Sequence, residues 1–263
     1  LEERVDSLIR SERAGAIATV TINRPERRNA ITRAMMRELI AVAEEFARDE
    51  ETRAVILRAE GEDFSVGIDL KERREETSLL LRRRQTELGA ALIRAILEIP
   101  QPTICAIQGV ATGAGACIAS ACDLRIGATD ARIGYGEVKM GMNLMWNALP
   151  LCVRLVGPAR AKQMAMTGKL FEADTLERWG FLDAIVEPST LPERTRAWAE
   201  EYAELPPIAV QMIKRSINHL AGALDRAIMH MDTDQFLLAS QSADYREAIE
   251  AFLEKRKPRF KGE

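Results

Sequence analysis

The chain has 263 residues, 47% of them apolar and 29% charged, with a net charge of −3. That length supports a large buried core, and the acidic balance argues against a general nucleic-acid partner, which calls for a basic excess or a basic face. Two histidines and four cysteines (Cys105, Cys117, Cys122 and Cys152, with no Cys-x-x-Cys pair) give no basis for a zinc site or a disulfide scaffold. Reduced thiols and a cytoplasmic setting are the expectation. No apolar run approaches membrane-spanning length, so no membrane partner is expected, and no secretory pattern opens the sequence.

In chain order, Ala16 to Ile22 reads as a strand. Thr32 to Arg48 has apolar residues at helical spacing, with Thr32 as its N-cap. Arg53 to Arg58 is a second strand, and Leu79 to Ile99 is helical, ending before Pro100 and Pro102. The stretch Lys71 to Arg84 is strongly polar and reads as an exposed loop and helix start. Thr103 to Ile107 is a third strand, running into a glycine-rich turn. After about Leu151 helices dominate, interrupted at Gly157-Pro158, by a short strand at Leu182 to Val186, and at Pro206-Pro207, with a last amphipathic helix from Ser242 to Glu254. Strands alternating with helices predict an α/β core over residues 1–190, followed by a helical region over 191–263.

Four segments carry candidate chemistry. Asn23-Arg24-Pro25 with Asn29-Ala30 is a tight strand-to-helix connection. Gly61 to Leu70 (GEDFSVGIDL) combines small residues and glycine around one aromatic. Such a backbone can approach a ligand closely and, at a turn into a helix, offer free N–H groups, that of Ile68 among them; a plain loop with Asp69 as a cap fits equally. Gln108 to Cys117 (QGVATGAGAC) follows a strand and suits close packing at a helix N-terminus with the Ala114 N–H exposed. Its spacing matches neither a dinucleotide fingerprint nor a phosphate-binding loop. Finally, Glu137 follows Gly134-Tyr135-Gly136 and precedes an apolar run, so partial desolvation should raise its pKa. Taken alone, an ordinary surface or capping glutamate is the simpler reading.

Together these segments are more specific. INRPERRNAI, GEDFSVGIDLKE, AIQGVATGAGACIASACDLRI, GYGEVKMGM, RLVGPARAKQMAMTGKLFEADTLERWGFLDAIVE, PPIAVQMIKRSIN and AFLEKRKPRF resemble, in order, the crotonase (enoyl-CoA hydratase/isomerase) superfamily. The resemblance implies a spiral of ββα units with a helical C-terminal trimerisation part, assembled as a homotrimer or hexamer. It also implies an acyl-CoA thioester substrate and no further cofactor, coenzyme A being part of the substrate. Carried over residue by residue, it puts two oxyanion-hole N–H groups on Ile68 and Ala114 and the acid/base on Glu137. It puts Lys71 on the CoA phosphates, with a C-terminal basic residue such as Lys255 joining it, and Ala30 beside the adenine. Two fixed donors of this kind stabilise a thioester enolate.

The sequence also departs from the pattern. Hydratases of the family use two glutamates, and the first falls on Cys117. A cysteine with no neighbouring base reads as a packing residue rather than a nucleophile. Met142, Met145 and Trp146 replace a Pro- and Gly-rich run at the border of the acyl pocket, although core packing explains them as well. The resemblance implies that a member with this single glutamate carries out double-bond isomerisation. Hydration, with water held by Asn143 or Asn147, is the alternative within enzymes, and a hydrolase or decarboxylase of the same fold stays open. A non-catalytic acyl-CoA- or RNA-binding protein is the competing class; outside Arg82–Arg84 and Lys255–Lys257 the chain offers RNA no strong basic run.

Overall fold

The computed structural model describes residues 7–72 and 78–263. Strand β1 (Ile9–Ala14) makes a hairpin with β2 (Ile17–Ile22) through Gly15, whose φ of +65° suits glycine. The sequence expectation missed β1, because its second half, Glu12 to Ala14, is exposed and carries no alternation. Helix α1 (Arg33–Glu45) starts where expected, with the Thr32 side chain accepting from Met35 N at 3.2 Å, and buries Met35, Met36, Leu39, Val42 and Ala43. Strand β3 (Ala54–Ala59) lies parallel to β2.

The single helix expected over Leu79 to Ile99 is two, α2 (Leu79–Thr86) and α3 (Leu88–Leu97). Only α3 has a buried face, whereas α2 buries nothing and so has no core to hold it in line. Of the polar stretch Lys71 to Arg84, residues 73–77 lie outside the described residues. Strand β4 (Thr103–Ile107) leads through β5 (Val110–Thr112) into α4 (Ala114–Ala121), which is buried along its whole length. Then follow β6 (Leu124–Ala128), β7 (Arg132–Gly134) and α5 (Ala148–Thr167), which breaks at Gly157 (φ +78°) before Pro158, as the sequence predicts. Strand β8 (Phe171–Glu172), α6 (Ala173–Trp179) and β9 (Ala184–Val186) complete the two sheets.

The larger sheet has the order β1-β2-β3-β4-β6-β9 and is parallel except for β1; the smaller is β5-β7-β8. Both faces of the large sheet are covered, which accounts for nearly continuous apolar strands such as TICAI. Helices α1, α3 and α4 pack on one face. Helix α7 (Leu191–Ala203) packs on the other, through Leu191 and Ala199 against Ile56, Ile104 and Ile126. The first helix after residue 190 is thus part of the sheet's own packing.

Helix α8 (Pro207–Ala221) is held by polar contacts: Lys214 Nζ to Asp123 Oδ2 at 2.6 Å and to the Gln101 carbonyl at 2.8 Å. It contributes no buried residue and leaves Ile208, Met212, Ile213, Ile217 and Leu220 exposed. After α9 (Arg226–Met229), α10 (Asp232–Ala239) and α11 (Ala243–Leu253) fold back over the segment around Glu137. There Phe236, Leu237 and Tyr245 enclose Met145.

Candidate active site

The connection Asn23–Ile31 is clamped to the Glu60–Asp69 segment by a polar network. Asn29, fully buried and left-handed at φ +55°, donates to the carbonyls of Glu60 and Asp63, each at 2.7 Å, and accepts from Arg24 N at 2.8 Å. Arg24 Nη1 bonds both the Ala30 carbonyl (2.9 Å) and Asp69 Oδ2 (2.8 Å). Arg28 pairs with Asp63 at 2.6 Å, and this pairing offsets burial to hold the Asp63 carboxyl below its ordinary range. The arginines and asparagine of this motif are therefore structural fasteners, and what they fix is the backbone path through Gly67 and Ile68.

That path frees the Ile68 amide for a reason the sequence does not give. Ile68 lies in an isolated parallel bridge with Ile31, in which Ile31 N donates to Gly67 O (2.8 Å) and Asp69 N donates to Ile31 O (2.9 Å). In a parallel bridge the intervening residue turns its own N–H to the opposite side. On that side stands the start of α4: a Cβ on Gly67 (φ +99°) would meet the Thr112 carbonyl at 3.2 Å and Ala114 N at 3.8 Å. The expected turn into a helix at Ile68 is absent among the described residues; Leu70 to Glu72 form a turn in which Asp69 Oδ1 accepts from Lys71 N at 2.9 Å. Ala114, the first residue of α4, has one of the N–H groups a helix leaves unpaired. Among the described residues neither the Ile68 nor the Ala114 amide has a partner.

Gly115 lets α4 sit directly on the Ser65 segment, where an added Cβ would come within 2.8 Å of the Ser65 carbonyl. Gly113 N donates to the Gly134 carbonyl at 3.3 Å, and the buried Tyr135 hydroxyl shares a 2.6 Å hydrogen bond with Ser120. These contacts dock the segment carrying Glu137 onto the N-terminus of α4.

Glu137 opens a short 3-10 helix, Glu137–Met140. The residue keeps some exposure, yet its Oε2 is sealed from solvent without a hydrogen-bond partner, and Oε1 lies 3.9 Å from Cys117 Sγ. Burial raises its pKa from 4.5 to about 7, against the smaller opposing pull of its own backbone N–H and the Cys117 thiol. The desolvation expected from the following apolar run has a different source. Val138 is exposed, and the carboxylate is dried by Cys117 and the glycine-lined end of α4, where an added Cβ on Gly113 would lie 3.6 Å from Oε1.

The residues expected around the acyl group fall in two clusters, with Trp146 packed against both. Cys117 is buried, and burial followed by the charges of Glu137 and Asp232 pushes its thiol well above the usual range, so it is a neutral packing group rather than a nucleophile. All four cysteines are free and buried. Met145 and, less completely, Met142 pack on α10 and α11. Trp146 spans the main core and this smaller cluster, with its indole against Gly89 of α3 so closely that no Cβ fits there. Trp146 and Asn147 are both left-handed, at φ +63° and +61°.

Of the expected CoA contacts, Ala30 directly precedes Ile31 and Lys71 lies three positions beyond Ile68, the two partners of the parallel bridge, and Lys71 is exposed. Lys255 is exposed after the end of α11, with φ +56°. Sequence reasoning missed Asp232, which accepts from Asn147 N at 2.7 Å through Oδ2. It lies 95 positions after Glu137 in an otherwise ordinary acidic helix start, and no local signal marks it.

This arrangement of a sealed carboxylate, two unpaired amides and an apolar wall sits on a crotonase fold. Residues 12–263 match the family model described as enoyl-CoA hydratase/isomerase. Over 253 residues the chain is 32% identical to the 1,2-epoxyphenylacetyl-CoA isomerase of Escherichia coli, covering 94% of this chain and 95% of the relative. It is 34% identical over 248 residues to the short-chain-enoyl-CoA hydratase of Clostridium acetobutylicum, covering 94% of each. An enoyl-CoA hydratase/isomerase structure from Pseudoalteromonas atlantica superposes with a TM-score of 0.86 at 27% identity, over 97% of this chain and 100% of that one. The chain belongs to the enoyl-CoA hydratase/isomerase family and is an enzyme of that family.

Proposed function

We propose that the protein moves the double bond of an enoyl-CoA, with Glu137 as the single proton carrier. Glu137 takes a proton from C2 of a 3-enoyl-CoA, and the electron pair delocalises onto the thioester oxygen. The Ile68 and Ala114 amides hold that oxygen, and Glu137 returns the proton at C4, giving the 2-enoyl-CoA. The observation that carries this reading is a carboxylate raised to about 7 beside a buried Cys117, which stands where a second carboxylate would be needed to hold water. Lys71, Ala30 and Lys255 serve the CoA moiety. Hydration is the second reading, favoured by the relative named a hydratase. Asn143, suggested as a water holder, donates through its amide to the Asp232 carbonyl and Gln235 Oε1, but its Oδ1 is left without a partner.

A panel of enoyl-CoAs incubated in deuterated water and read by mass spectrometry tests the reading. Deuterium incorporation with a shifted double bond and no added oxygen supports isomerisation. Net addition of water overturns it in favour of a hydratase.

A further inference from the structure

The 3-10 helix that carries Glu137 rests on three elements. One is the start of α4, through Gly113. A second is the end of α5, where an added Cβ on Gly168 would lie 3.1 Å from the Val138 and Lys139 side chains. The third is α11. Gly141, which ends the 3-10 helix at φ +64°, has the backbone of α11 directly against it: an added Cβ would lie 3.1 Å from both N and Cα of Tyr245 and 3.4 Å from the carbonyl carbon of Asp244. The same corner is tied back to the proton carrier, because the Glu137 carbonyl accepts from Met142 N at 3.1 Å. A shift at the start of α11 therefore reaches Glu137 through one close-packed layer of backbone.

No described residue of α11 belongs to the main core; its Tyr245 packs in the smaller cluster with Met145, Phe236 and Leu237. Further anchorage comes from the segment that follows the helix. Arg256 pairs with Glu247 through two guanidinium nitrogens, at 2.5 and 2.9 Å, and Glu247 also accepts from Arg259 N at 2.8 Å. The Asp244 carboxylate accepts from Lys261 N at 2.7 Å through one oxygen and from Gly262 N at 2.9 Å through the other. Residues 256–262 thus form a strap along α11 that is fastened at the residue facing Gly141. An acid in the first turn of a helix also favours its dipole, but here both carboxylate oxygens are engaged by strap amides.

We propose that Asp244 is a positioning residue for the proton carrier: by fastening Lys261 and Gly262 to the start of α11, it holds the Glu137 segment against α4 and keeps the carboxylate dry. This role rests on the reading of Glu137 as proton carrier given above, and it holds for isomerisation and hydration alike. With the strap released, the corner at Gly141 loosens and water reaches the sealed Oε2, so the carboxyl returns toward its ordinary range. The CoA contacts proposed above are untouched: Ala30 and Lys71 belong to other segments, and Lys255 N is held by the Phe252 carbonyl at 3.3 Å, within the end of α11.

Carbon-13 NMR titration of the glutamate carboxyls, with Glu137 assigned through Glu137→Gln, reads the proton carrier without turnover. The midpoint should be about 7 in the wild type and lower in Asp244→Ala. Asp244→Asn keeps one accepting oxygen for two amides and should fall between. In assays of whichever reaction the deuterium experiment identifies, Asp244→Ala should lower kcat about ten- to a hundredfold with KM little changed, the loss expected when a reacting group is displaced by about an ångström. Arg196→Ala removes a surface pair with Glu200 on α7, on the other face of the large sheet from α4, and should leave both readouts at wild-type values. Either an unshifted midpoint or a wild-type kcat in Asp244→Ala overturns the proposal. So does an equal shift in Arg196→Ala, which would mark general softening. Net hydration in the deuterium experiment, with the midpoint still responding to Asp244, would sink the isomerisation reading alone.

Discussion

Cys117 Sγ lies 3.9 Å from Glu137 Oε1, and this contact joins a thiol that burial holds neutral to a carboxylate that burial raises to about 7. Its consequence is a proton site poised near neutrality with one polar neighbour instead of two.

Glu137 should set both the rate and the pH dependence of stability. Glu137→Gln should lower kcat by roughly 10²–10⁴ with little change in acyl-CoA affinity, since the CoA contacts lie elsewhere. In the wild type, kcat/KM should rise through pH about 7 as the base ionises. The stability effect has the opposite sense. With the folded pKa raised from 4.5 to about 7, the native state binds more protons than the unfolded chain between those values, so stability falls as pH rises through that window. The loss amounts to at most about 3 kcal/mol. Denaturant melts at pH 5 and pH 8 should show Glu137→Gln gaining on the wild type at the higher pH; parallel behaviour at both values would contradict the raised pKa.

Substitutions at Cys117 separate packing from chemistry. Cys117→Ser should leave most isomerisation intact, at a cost of about 1–3 kcal/mol in stability for a buried hydroxyl poorly matched to its surroundings. Cys117→Glu should introduce measurable hydration of a 2-enoyl-CoA. Loss of turnover in Cys117→Ser but not in Glu137→Gln would reverse the two roles.

Lys71 is exposed, so its contact with a CoA phosphate is modest and screened. Lys71→Ala should weaken acyl-CoA binding about two- to fivefold at low salt, an effect that vanishes near half-molar salt. Titrations at the two ionic strengths check this, and unchanged affinity at low salt removes the assignment.

The apolar stripe of α8 predicts self-association. Ile208, Met212, Ile213, Ile217 and Leu220 are 58–82% exposed on one helix whose inward contacts are polar. Copies of this chain should cover it in a trimer or hexamer. Light scattering at micromolar concentration should show three or six chains, and Ile213→Glu with Leu220→Glu should shift the mass toward one. A monomeric wild type would defeat the expectation.

Most of the sheet was legible because its strands are continuous β-branched runs. Thr103–Ile107 matches the expectation to the residue. The start of α1 was legible from Thr32 because a cap is a local interaction. The edge strand β1 was not, since half of it faces water and carries no pattern. In the site, Glu137 could be placed by motif, but its dryness could not be traced to the right neighbours, which lie about twenty positions earlier on α4. Asp232 was invisible for a similar reason: it acts on Asn147 across 85 positions, and neither residue sits in a recognisable motif.

The bridge between Ile31 and Ile68 makes segment length a functional quantity. Strand geometry alternates the direction of successive amides, so removing or adding one residue between Ala59 and Ile68 would aim a neighbouring amide, or none, at the start of α4. The anchors of that stretch are Asn29, Asp63, Ser65 and the positive-φ Gly67, and they set where the Ile68 amide lies. The number of residues between Ala59 and Ile68 is thus a functional restraint in its own right, because it decides which amide meets the N-terminus of α4.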